Sequence, residues 1–160
     1  MDQTKPTDAA DRQTTSHRFS APDAKILVVD DLAVNIRFIK ELLSPCGIKT
    51  YACLSGARAV EMVQRERYDL VLMDMMMPEM DGLETVSRIR ALGSGGEADE
   101  YFRRLPIVLL SANEIEGHDE TLARLGINEC MLKPINVAKL FTVLEKLLLG
   151  DRRQEVQTSF

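Results

Sequence analysis

Residues 69–82 read DLVLMDMMMPEMDG, and the rest of this 160-residue chain can be interpreted around them. Residues 70–73 form a continuous apolar run of strand length, which is typical of a parallel strand buried on both faces. Asp74 follows the run, and the carboxyl ends of parallel strands form the crevice where open α/β sheets bind their ligands. Pro78 and Gly82 predict a loop before the next helix. The segment therefore predicts a buried strand that delivers a carboxylate to a site.

A second segment repeats this design near the start of the chain. Residues 25–31 contain an apolar run followed by the adjacent acids Asp30 and Asp31. If the two strands are neighbours, three carboxylates meet at one sheet edge, and their repulsion requires a compensating cation or proton. Hard divalent cations prefer oxygen ligands. Asp30, Asp31 and Asp74 therefore predict a magnesium site, with manganese as the alternative ion.

Strand-like and helix-like patterns alternate from residue 25 to residue 149. The predicted strands are residues 26–29, 48–52, 70–73, 106–111 and 128–132, and the predicted helices are residues 32–43, 56–63, 82–92, 115–125 and 137–148. Asp31 is expected to cap the first helix. Such alternation requires right-handed crossovers and a parallel sheet covered on both faces. The predicted fold class is therefore α/β and doubly wound.

Three polar segments are expected to lie outside this core. Residues 1–24 lack apolar periodicity and predict a flexible arm or linker, residues 150–160 predict a frayed tail, and the Gly-rich residues 93–104 predict a flexible insertion. The predicted domain organisation is thus an arm over residues 1–24, one domain over residues 25–149 and a C-terminal tail over residues 150–160.

Composition excludes several function classes. The net charge is −5 and no basic run occurs, so we expect no nucleic-acid partner and no membrane contact by this chain. No apolar stretch approaches the roughly 20 residues of a membrane span, and the polar start is unlike a signal peptide. We therefore expect a cytoplasmic protein. Its three cysteines show no metal-binding spacing and are interpreted as reduced thiols.

The predicted strand ends carry a coherent set of side chains. They are Asp30 and Asp31, Asp74, Ser111 and Lys133. The acids can hold a cation, one acid can act as a nucleophile, and the hydroxyl and the ammonium can receive negative charge. Phosphoryl transfer needs these groups, because its catalysis is mostly positioning plus electrostatic stabilisation. A carboxylate nucleophile would form an aspartyl phosphate.

These motifs, in this order, resemble the response-regulator receiver domain of two-component signalling. The resemblance rests on VVDD at residues 28–31, LMD at residues 72–74, MPEMDG at residues 77–82, SA at residues 111–112 and KP at residues 133–134. It covers residues 25–149 and implies a flavodoxin-like (βα)5 fold with the strand order 2-1-3-4-5.

The resemblance implies a role for each matching residue near the acids. Asp74 would be the phosphorylated nucleophile, which takes its phosphoryl group from a phosphohistidine on a partner. Asp31 and Asp74 would bind magnesium directly together with the backbone carbonyl of Met76, and Asp30 would act largely through water. Such a domain is a self-phosphorylating and self-dephosphorylating switch and not an enzyme in the ordinary sense.

The other matching residues concern switching. Ser111 and Lys133 would each contact a phosphoryl oxygen once it arrives, and the peptide bond before Pro134 would be cis. Family members commonly carry a Tyr or Phe three residues before the lysine, whereas this chain has Cys130. The usual aromatic switch is therefore not expected here.

Further residues suggest the receiver of a hybrid sensor histidine kinase. They are DLAVN at residues 31–35, the Gly-rich insertion, SAN at residues 111–113 and GINE at residues 126–129. The implied partners are a histidine kinase or a histidine phosphotransfer protein, with a homodimer through the fourth and fifth helices as a further prediction. Three alternatives stay open: a stand-alone response regulator, a magnesium-dependent phosphatase with an aspartyl nucleophile, and a pseudo-receiver that only binds partners.

Overall fold

The computed structural model describes residues 19–96, 99–114 and 119–158, with side chains up to residue 150. Residues 1–18 of the predicted arm therefore lie outside the described residues. The same is true of residues 115–118, where the predicted fourth helix begins, and of residues 159–160 of the predicted tail.

A five-stranded sheet forms the centre of the protein, in the order β2-β1-β3-β4-β5. All neighbouring strands are parallel. The strands are β1 (Lys25–Val29), β2 (Lys49–Cys53), β3 (Leu70–Asp74), β4 (Ile107–Ser111) and β5 (Glu129–Leu132). Every residue of β3 and β4 is buried, as expected of central strands covered on both faces. The predicted α/β fold and the strand order implied by the resemblance are confirmed.

Helices cover both faces of the sheet. They are α1 (Ala33–Leu43), α2 (Gly56–Arg65), α3 (Gly82–Ala91), α4 (Glu100–Arg104), α5 (Asp119–Arg124) and α6 (Val137–Thr158), and a 3-10 turn (Ser44–Cys46) follows α1. Successive strand residues point to opposite faces. Val28 and Leu72 therefore join the core under α1 and α6, whereas Val29 and Met73 join the core under α2 and α3. The helices predicted as fourth and fifth are α5 and α6.

Two helical segments differ from the sequence prediction. The insertion was expected to be a flexible loop, but it contains α4, and Leu105 directly after this helix is only 1% exposed. The last helix was expected to end before the tail, but α6 continues through Gly150 to Thr158. A single glycine costs a helix about 1 kcal/mol relative to alanine, so it does not by itself end one.

The segment before β1 belongs to the core, which corrects the prediction for residues 19–24. Ala21 is 7% exposed and belongs to the core under α1 and α6. Its backbone N–H donates to the carbonyl of Cys46 at 2.9 Å. The ring of Phe19 packs edge-to-face on Phe141 of α6, with centroids 6.2 Å apart. This segment therefore joins the end of α1 to α6.

We expect that a protein starting at Lys25 is less stable than one starting at Phe19, by about 2 kcal/mol in the free energy of unfolding. The shorter protein loses an aromatic pair worth about 0.5–1.5 kcal/mol and a backbone hydrogen bond worth about 1 kcal/mol. Urea unfolding of both proteins, with the full chain as the control, measures the difference. Equal midpoints and slopes for the two truncated proteins would contradict this expectation.

The side chain of Arg90 ties the insertion to the body of the domain. From the last turn of α3, its guanidinium donates to the carbonyls of Leu125 at 2.7 Å, Gly126 at 3.0 Å and Phe102 at 2.9 Å. Burial lowers the pKa of Arg90. One side chain thus joins α3, α4 and the turn after α5, because a planar guanidinium can serve several acceptors at once.

Replacing Arg90 by alanine is expected to lower the free energy of unfolding by about 2 kcal/mol, since three carbonyls lose a charged donor. Arg90→Lys should recover only part of the loss, because an ammonium cannot place donors at three carbonyls as the planar guanidinium does. The matched control is Arg88→Ala on the same helix, which removes an exposed pair with Glu84 and should cost at most about 0.5 kcal/mol. Similar losses for the Arg90 and Arg88 variants in urea unfolding would refute the role of Arg90.

Candidate functional site

Three carboxylates meet at the carboxyl edge of the sheet. Asp30 and Asp31 follow β1, and Asp74 ends β3, its direct neighbour. One carboxylate oxygen from each of the three lies within 4.8 Å of the other two. Asp30 is 1% exposed and Asp74 is 4% exposed, while Asp31 is accessible to solvent. The structure therefore brings together the three acids that the sequence predicted as neighbours.

The two adjacent acids have different surroundings. Asp30 Oδ1 accepts the backbone N–H of Leu32 at 2.9 Å, and Asp30 Oδ2 accepts the side-chain amide of Asn35 at 3.2 Å. Asp31 was expected to cap α1, but the N-cap residue is Leu32 and its helix end has no side-chain cap. The buried Asp30 accepts the backbone N–H beside this helix end, and Asp31 remains available to solvent.

Lys133 provides a cation between the buried acids. Its Nζ lies 2.9 Å from Asp74 Oδ1 and 3.4 Å from Asp30 Oδ2. It directly follows β5, and its backbone N–H donates to the carbonyl of Ser111 at 2.7 Å. The peptide bond between Lys133 and Pro134 is cis. The pairing of β4 with β5 thus positions Lys133 at the sheet edge, where its ammonium reaches the acids.

The electrostatics of the site leave an excess of negative charge. Burial raises the pKa of Asp74 and the charge of Asp30 raises it further, while the hydrogen bond from Lys133 offsets only part of the rise. Burial alone would lower the pKa of Lys133, but its contacts with Asp74 and Asp30 outweigh burial and raise it. One ammonium therefore does not compensate three carboxylates, and an additional cation would stabilise the charged cluster.

The residues present fit a divalent cation on the chemistry of their donors. All three clustered side chains offer carboxylate oxygens, the ligands that magnesium and manganese prefer. The backbone of Met76 lies close enough to Asp74 to lower the pKa of its carboxyl. That the carbonyl of Met76 is the third protein ligand of the cation stays a prediction.

The loop after β3 is held close to the strand end. Gly82 begins α3, and its N–H donates to the carbonyl of Met75 at 2.8 Å. A Cβ atom at Gly82 would lie 2.5 Å from the carbonyl oxygen of Asp74 and 2.9 Å from the Cα of Met75. Only glycine fits such a close approach, so Gly82 allows α3 to start directly beside the strand end that carries Asp74.

Ser111 ends β4, but its hydroxyl is turned to its own loop. The Oγ atom donates to the carbonyl of Asn113 at 2.7 Å and accepts the backbone N–H of Asn113 at 3.2 Å. Neither hydrogen bond involves an acid of the site. Contact between Ser111 and a phosphoryl oxygen would therefore require these two bonds to break, and this contact stays a prediction.

Cys130 lies on β5 beside an open cavity. The cavity has a volume of about 400 Å³, and Ser111, Cys130, Met131, Pro134 and Lys139 are among the residues that line it. Burial raises the pKa of the Cys130 thiol, and the charge of Glu129 raises it further. Where the resemblance predicts an aromatic ring, the chain thus has a thiol with a raised pKa next to free volume.

Most of the exposed apolar side chains lie at the edge of the sheet that carries the acids. Among the residues that the structure describes, seven large hydrophobic side chains are exposed. Six of them lie at the carboxyl ends of strands or at the adjoining helix starts, and Phe38 lies in the middle of α1. This apolar rim consists of Leu32, Val34, Phe38, Leu54, Met76, Leu132 and Val137. An exposed patch of this kind around a polar site is typical of a surface that binds another protein.

One residue of the site was missed by the sequence analysis. Asn35 entered it only as part of a subfamily pattern, yet its amide contacts Asp30. Its spacing offered a signal, because a residue three positions after the N-cap Leu32 lies in the first turn of α1 and faces the strand end.

None of the described helices combines the length and the hydrophobicity that a membrane span requires.

Comparison with proteins of known sequence gives relatives of two kinds: long proteins that the chain matches over a small part, and short proteins that it matches over nearly their whole length. The chain is 37% identical over 122 residues to the sensor protein GacS of Pseudomonas syringae pv. syringae, a region that covers 76% of the chain but only 13% of GacS. It is 28% identical over 126 residues to the polar-differentiation response regulator DivK of Brucella ovis, which covers 79% of the chain and 96% of DivK.

Solved structures and a family model give matches of the same kind. The receiver domain of a sensor histidine kinase from Pseudomonas aeruginosa PAO1, crystallised with a magnesium ion in its active site cleft, has 34% identity and a TM-score of 0.66, covering 78% of the chain and 97% of that domain. Chemotaxis protein CheY4 of Vibrio cholerae has 25% identity and a TM-score of 0.68, covering 78% of the chain and 98% of CheY4. The family model described as response regulator receiver domain matches residues 26–145. The chain therefore belongs to the response regulator receiver domain family.

Proposed function

We propose that this protein is a phosphoacceptor of a two-component phosphorelay and that Asp74 takes the phosphoryl group. The observation that carries the proposal is the position of the Asp74 carboxylate, 2.9 Å from Lys133 Nζ and clustered with Asp30 and Asp31. A carboxylate in this position has a cation beside it to stabilise negative charge on incoming oxygens.

The proposed step is a transfer from a phosphohistidine of a partner protein. A carboxylate oxygen of Asp74 attacks phosphorus, the P–N bond to the histidine breaks, and the histidine keeps the bonding electrons and takes up a proton. Lys133 turns from Asp74 to a phosphoryl oxygen, and Ser111 exchanges its bonds to Asn113 for a second phosphoryl oxygen. Hydrolysis of the aspartyl phosphate later returns the switch to its starting state.

We propose Mg²⁺ as the cofactor, with Mn²⁺ as a substitute. Asp31 and Asp74 would hold the ion directly with the carbonyl of Met76, and Asp30 would act largely through water. When bound, the ion neutralises charge on the phosphoryl oxygens. This assignment is supported by the oxygen-only donor set and by the magnesium ion in the similar Pseudomonas aeruginosa receiver.

The phosphodonor is proposed to be a histidine kinase or a histidine phosphotransfer protein that docks on the apolar rim. Most of the rim lies at the same edge of the sheet as Asp74, so a partner that binds there would bring its phosphohistidine to this edge. Phe38→Ser, at a residue 47% exposed on α1, should slow phosphotransfer from such a partner but leave phosphorylation by acetyl phosphate unchanged. Equal slowing with both donors would contradict a docking role for this residue.

We further propose that the output runs through protein contacts of α5 and α6, in a cytoplasmic protein, with a homodimer through this face as one form of output. Similarity to GacS supports an origin as the receiver of a hybrid kinase. Similarity to DivK over 96% of its length favours the alternative of a stand-alone response regulator. A coding sequence that continues from a kinase domain into this chain decides for the first alternative.

The proposed function is tested by incubating the protein with acetyl phosphate and Mg²⁺, followed by intact-mass measurement. We expect one phosphoryl group per chain, and no adduct when a chelator removes the metal ion. Continuous release of phosphate over many turnovers would instead support the aspartyl-nucleophile phosphatase. A protein that stays unmodified beside a receiver domain labelled by the same donor would support the pseudo-receiver.

A further inference from the structure

The amide of Asn35 contacts a carboxylate that already has other donors. Asp30 is 1% exposed, so its two oxygens depend on protein groups for hydrogen bonds. Oδ1 has the N–H of Leu32 at 2.9 Å, and Oδ2 has the amide of Asn35 at 3.2 Å and the ammonium of Lys133 at 3.4 Å. Oδ2 thus has two side-chain donors, Asn35 and Lys133, and in the proposed transfer only Asn35 stays in place.

Lys133 is shared unequally between the two buried acids. Its distance to Asp74 is 2.9 Å and its distance to Asp30 is 3.4 Å. In the proposed transfer Lys133 leaves both carboxylates for a phosphoryl oxygen. Asp30 would then keep the amide of Asn35 and the N–H of Leu32, so its carboxylate would retain a donor at each oxygen and its orientation.

Close packing does not force this contact. A cavity of about 160 Å³ lies between α1 and the loop after β5, and Asn35, Asp30, Lys133 and Phe38 are among the residues that line it. Free volume beside the amide leaves room for other rotamers. The hydrogen bond to Asp30 therefore selects the side-chain position that the structure shows.

We propose that Asn35 is a positioning residue that keeps the Asp30 carboxylate oriented toward the metal site, also when Lys133 has left it. The inference rests on the proposed function, because it concerns the same magnesium-dependent site. Groups that orient the surroundings of a metal ion typically change metal affinity or activity by about 10–100-fold when removed. Because Asp30 would act on the ion largely through water, we expect the lower end of that range for Asn35.

The test compares three variants of the full chain. Asn35→Ala removes the amide, Asn35→Gln keeps an amide on a longer side chain, and Gln64→Ala is the matched control. Gln64 is an exposed amide on α2 that donates to the backbone carbonyl of Val60 at 2.9 Å and lies away from the acids. Alanine favours helix at both positions, and circular dichroism checks that each variant is folded.

Two measurements separate positioning from a general loss of function. Calorimetric titration with Mg²⁺ alone gives the affinity without any reaction, and the rate of phosphorylation by acetyl phosphate is followed over a range of Mg²⁺ concentrations. For Asn35→Ala we expect the dissociation constant for Mg²⁺ to rise about tenfold, at the lower end of the range for such residues. We expect the rate at saturating Mg²⁺ to return to that of the unmodified protein, and Asn35→Gln to bind Mg²⁺ more tightly than Asn35→Ala.

The outcomes are distinguishable. Unchanged Mg²⁺ affinity in Asn35→Ala overturns the inference, as does an equal loss in Gln64→Ala. A rate that stays low at saturating Mg²⁺, or Asn35→Gln binding no better than Asn35→Ala, also overturns it. If the unmodified protein binds Mg²⁺ but accepts no phosphoryl group, the proposed function fails while the positioning role of Asn35 can still be read from the titrations.

Discussion

Replacing Asp74 by asparagine is expected to abolish the phosphoryl adduct completely, because a neutral amide cannot replace the carboxylate nucleophile. The variant keeps the shape of the side chain, so the fold and the start of α3 should be unchanged. The measurement is intact mass after incubation with acetyl phosphate and Mg²⁺. Asp69→Asn is the control, since it removes the same charge from an acid that accepts the backbone N–H of Lys25 at the amino end of β1. An adduct in Asp74→Asn at the yield of the unmodified protein would place the acceptor elsewhere.

The same variant should unfold at a higher urea concentration than the unmodified protein at neutral pH without metal. The pKa of Asp74 is raised by burial and by the charge of Asp30, so the folded state binds this proton more tightly than the unfolded chain. The ionised carboxylate therefore lowers stability at neutral pH, and this effect disappears as the pH falls through the raised pKa. The stability difference between the two proteins should shrink over the same window, and Mg²⁺ should stabilise only the unmodified protein strongly. A variant less stable than the unmodified protein at neutral pH would contradict this account.

Lys133→Ala is expected to destabilise the metal-free protein by about 3 kcal/mol, the magnitude found when one partner of a buried ion pair is removed. The lysine side chain is 25% exposed, but its partners Asp30 and Asp74 are 2% and 6% exposed, so two carboxylates lose their cation in a poorly solvated place. Urea unfolding with a chelator present measures the effect. Lys139→Ala on α6 removes an exposed lysine of the same charge and should change stability by less than about 0.5 kcal/mol.

The effect of Lys133 should also depend on pH and on metal. Its pKa is raised above the ordinary value of 10.5 by Asp74 and Asp30 against the effect of burial. The stability that the ammonium contributes is therefore fully present below that ordinary value and is lost as the pH rises through the folded-state pKa. Mg²⁺ should restore part of the stability of Lys133→Ala, because a divalent cation compensates the same carboxylates. A loss of stability that Mg²⁺ leaves unchanged would show that Lys133 acts through packing and not through charge.

The strands were the most predictable part of the fold. Residues 70–73 and 107–110 are buried apolar runs with no polar break, and such runs have few alternatives in an α/β chain. The acids Asp30, Asp31 and Asp74 were predictable for the same reason, because a carboxylate that follows a buried strand must lie at the sheet edge. The strand order came from the resemblance, since the patterns of individual strands do not specify their neighbours.

The features that the sequence did not reveal depend on tertiary contacts. The helix α4 has five residues next to a Gly-rich segment, too short for a periodic signal, and it is held by Arg90 and by the burial of Leu105. Residues 19–24 have no periodicity of their own, and Ala21 is buried because it packs into the core under α1 and α6. The partner of the Ser111 hydroxyl is likewise a matter of loop conformation, which its residue type does not determine.

The thiol of Cys130 gives the native chain a single accessible labelling position. Cys46 and Cys53 are only 1% and 7% exposed, and burial raises the pKa of Cys53 to about 11, whereas Cys130 is partly open to its cavity. Because the pKa of Cys130 is also raised, alkylating reagents should react slowly at neutral pH and faster in mild alkali. A fluorophore attached there would lie beside the loop that carries Ser111 and Asn113. Its emission could follow rearrangement of that loop in real time without any engineered cysteine.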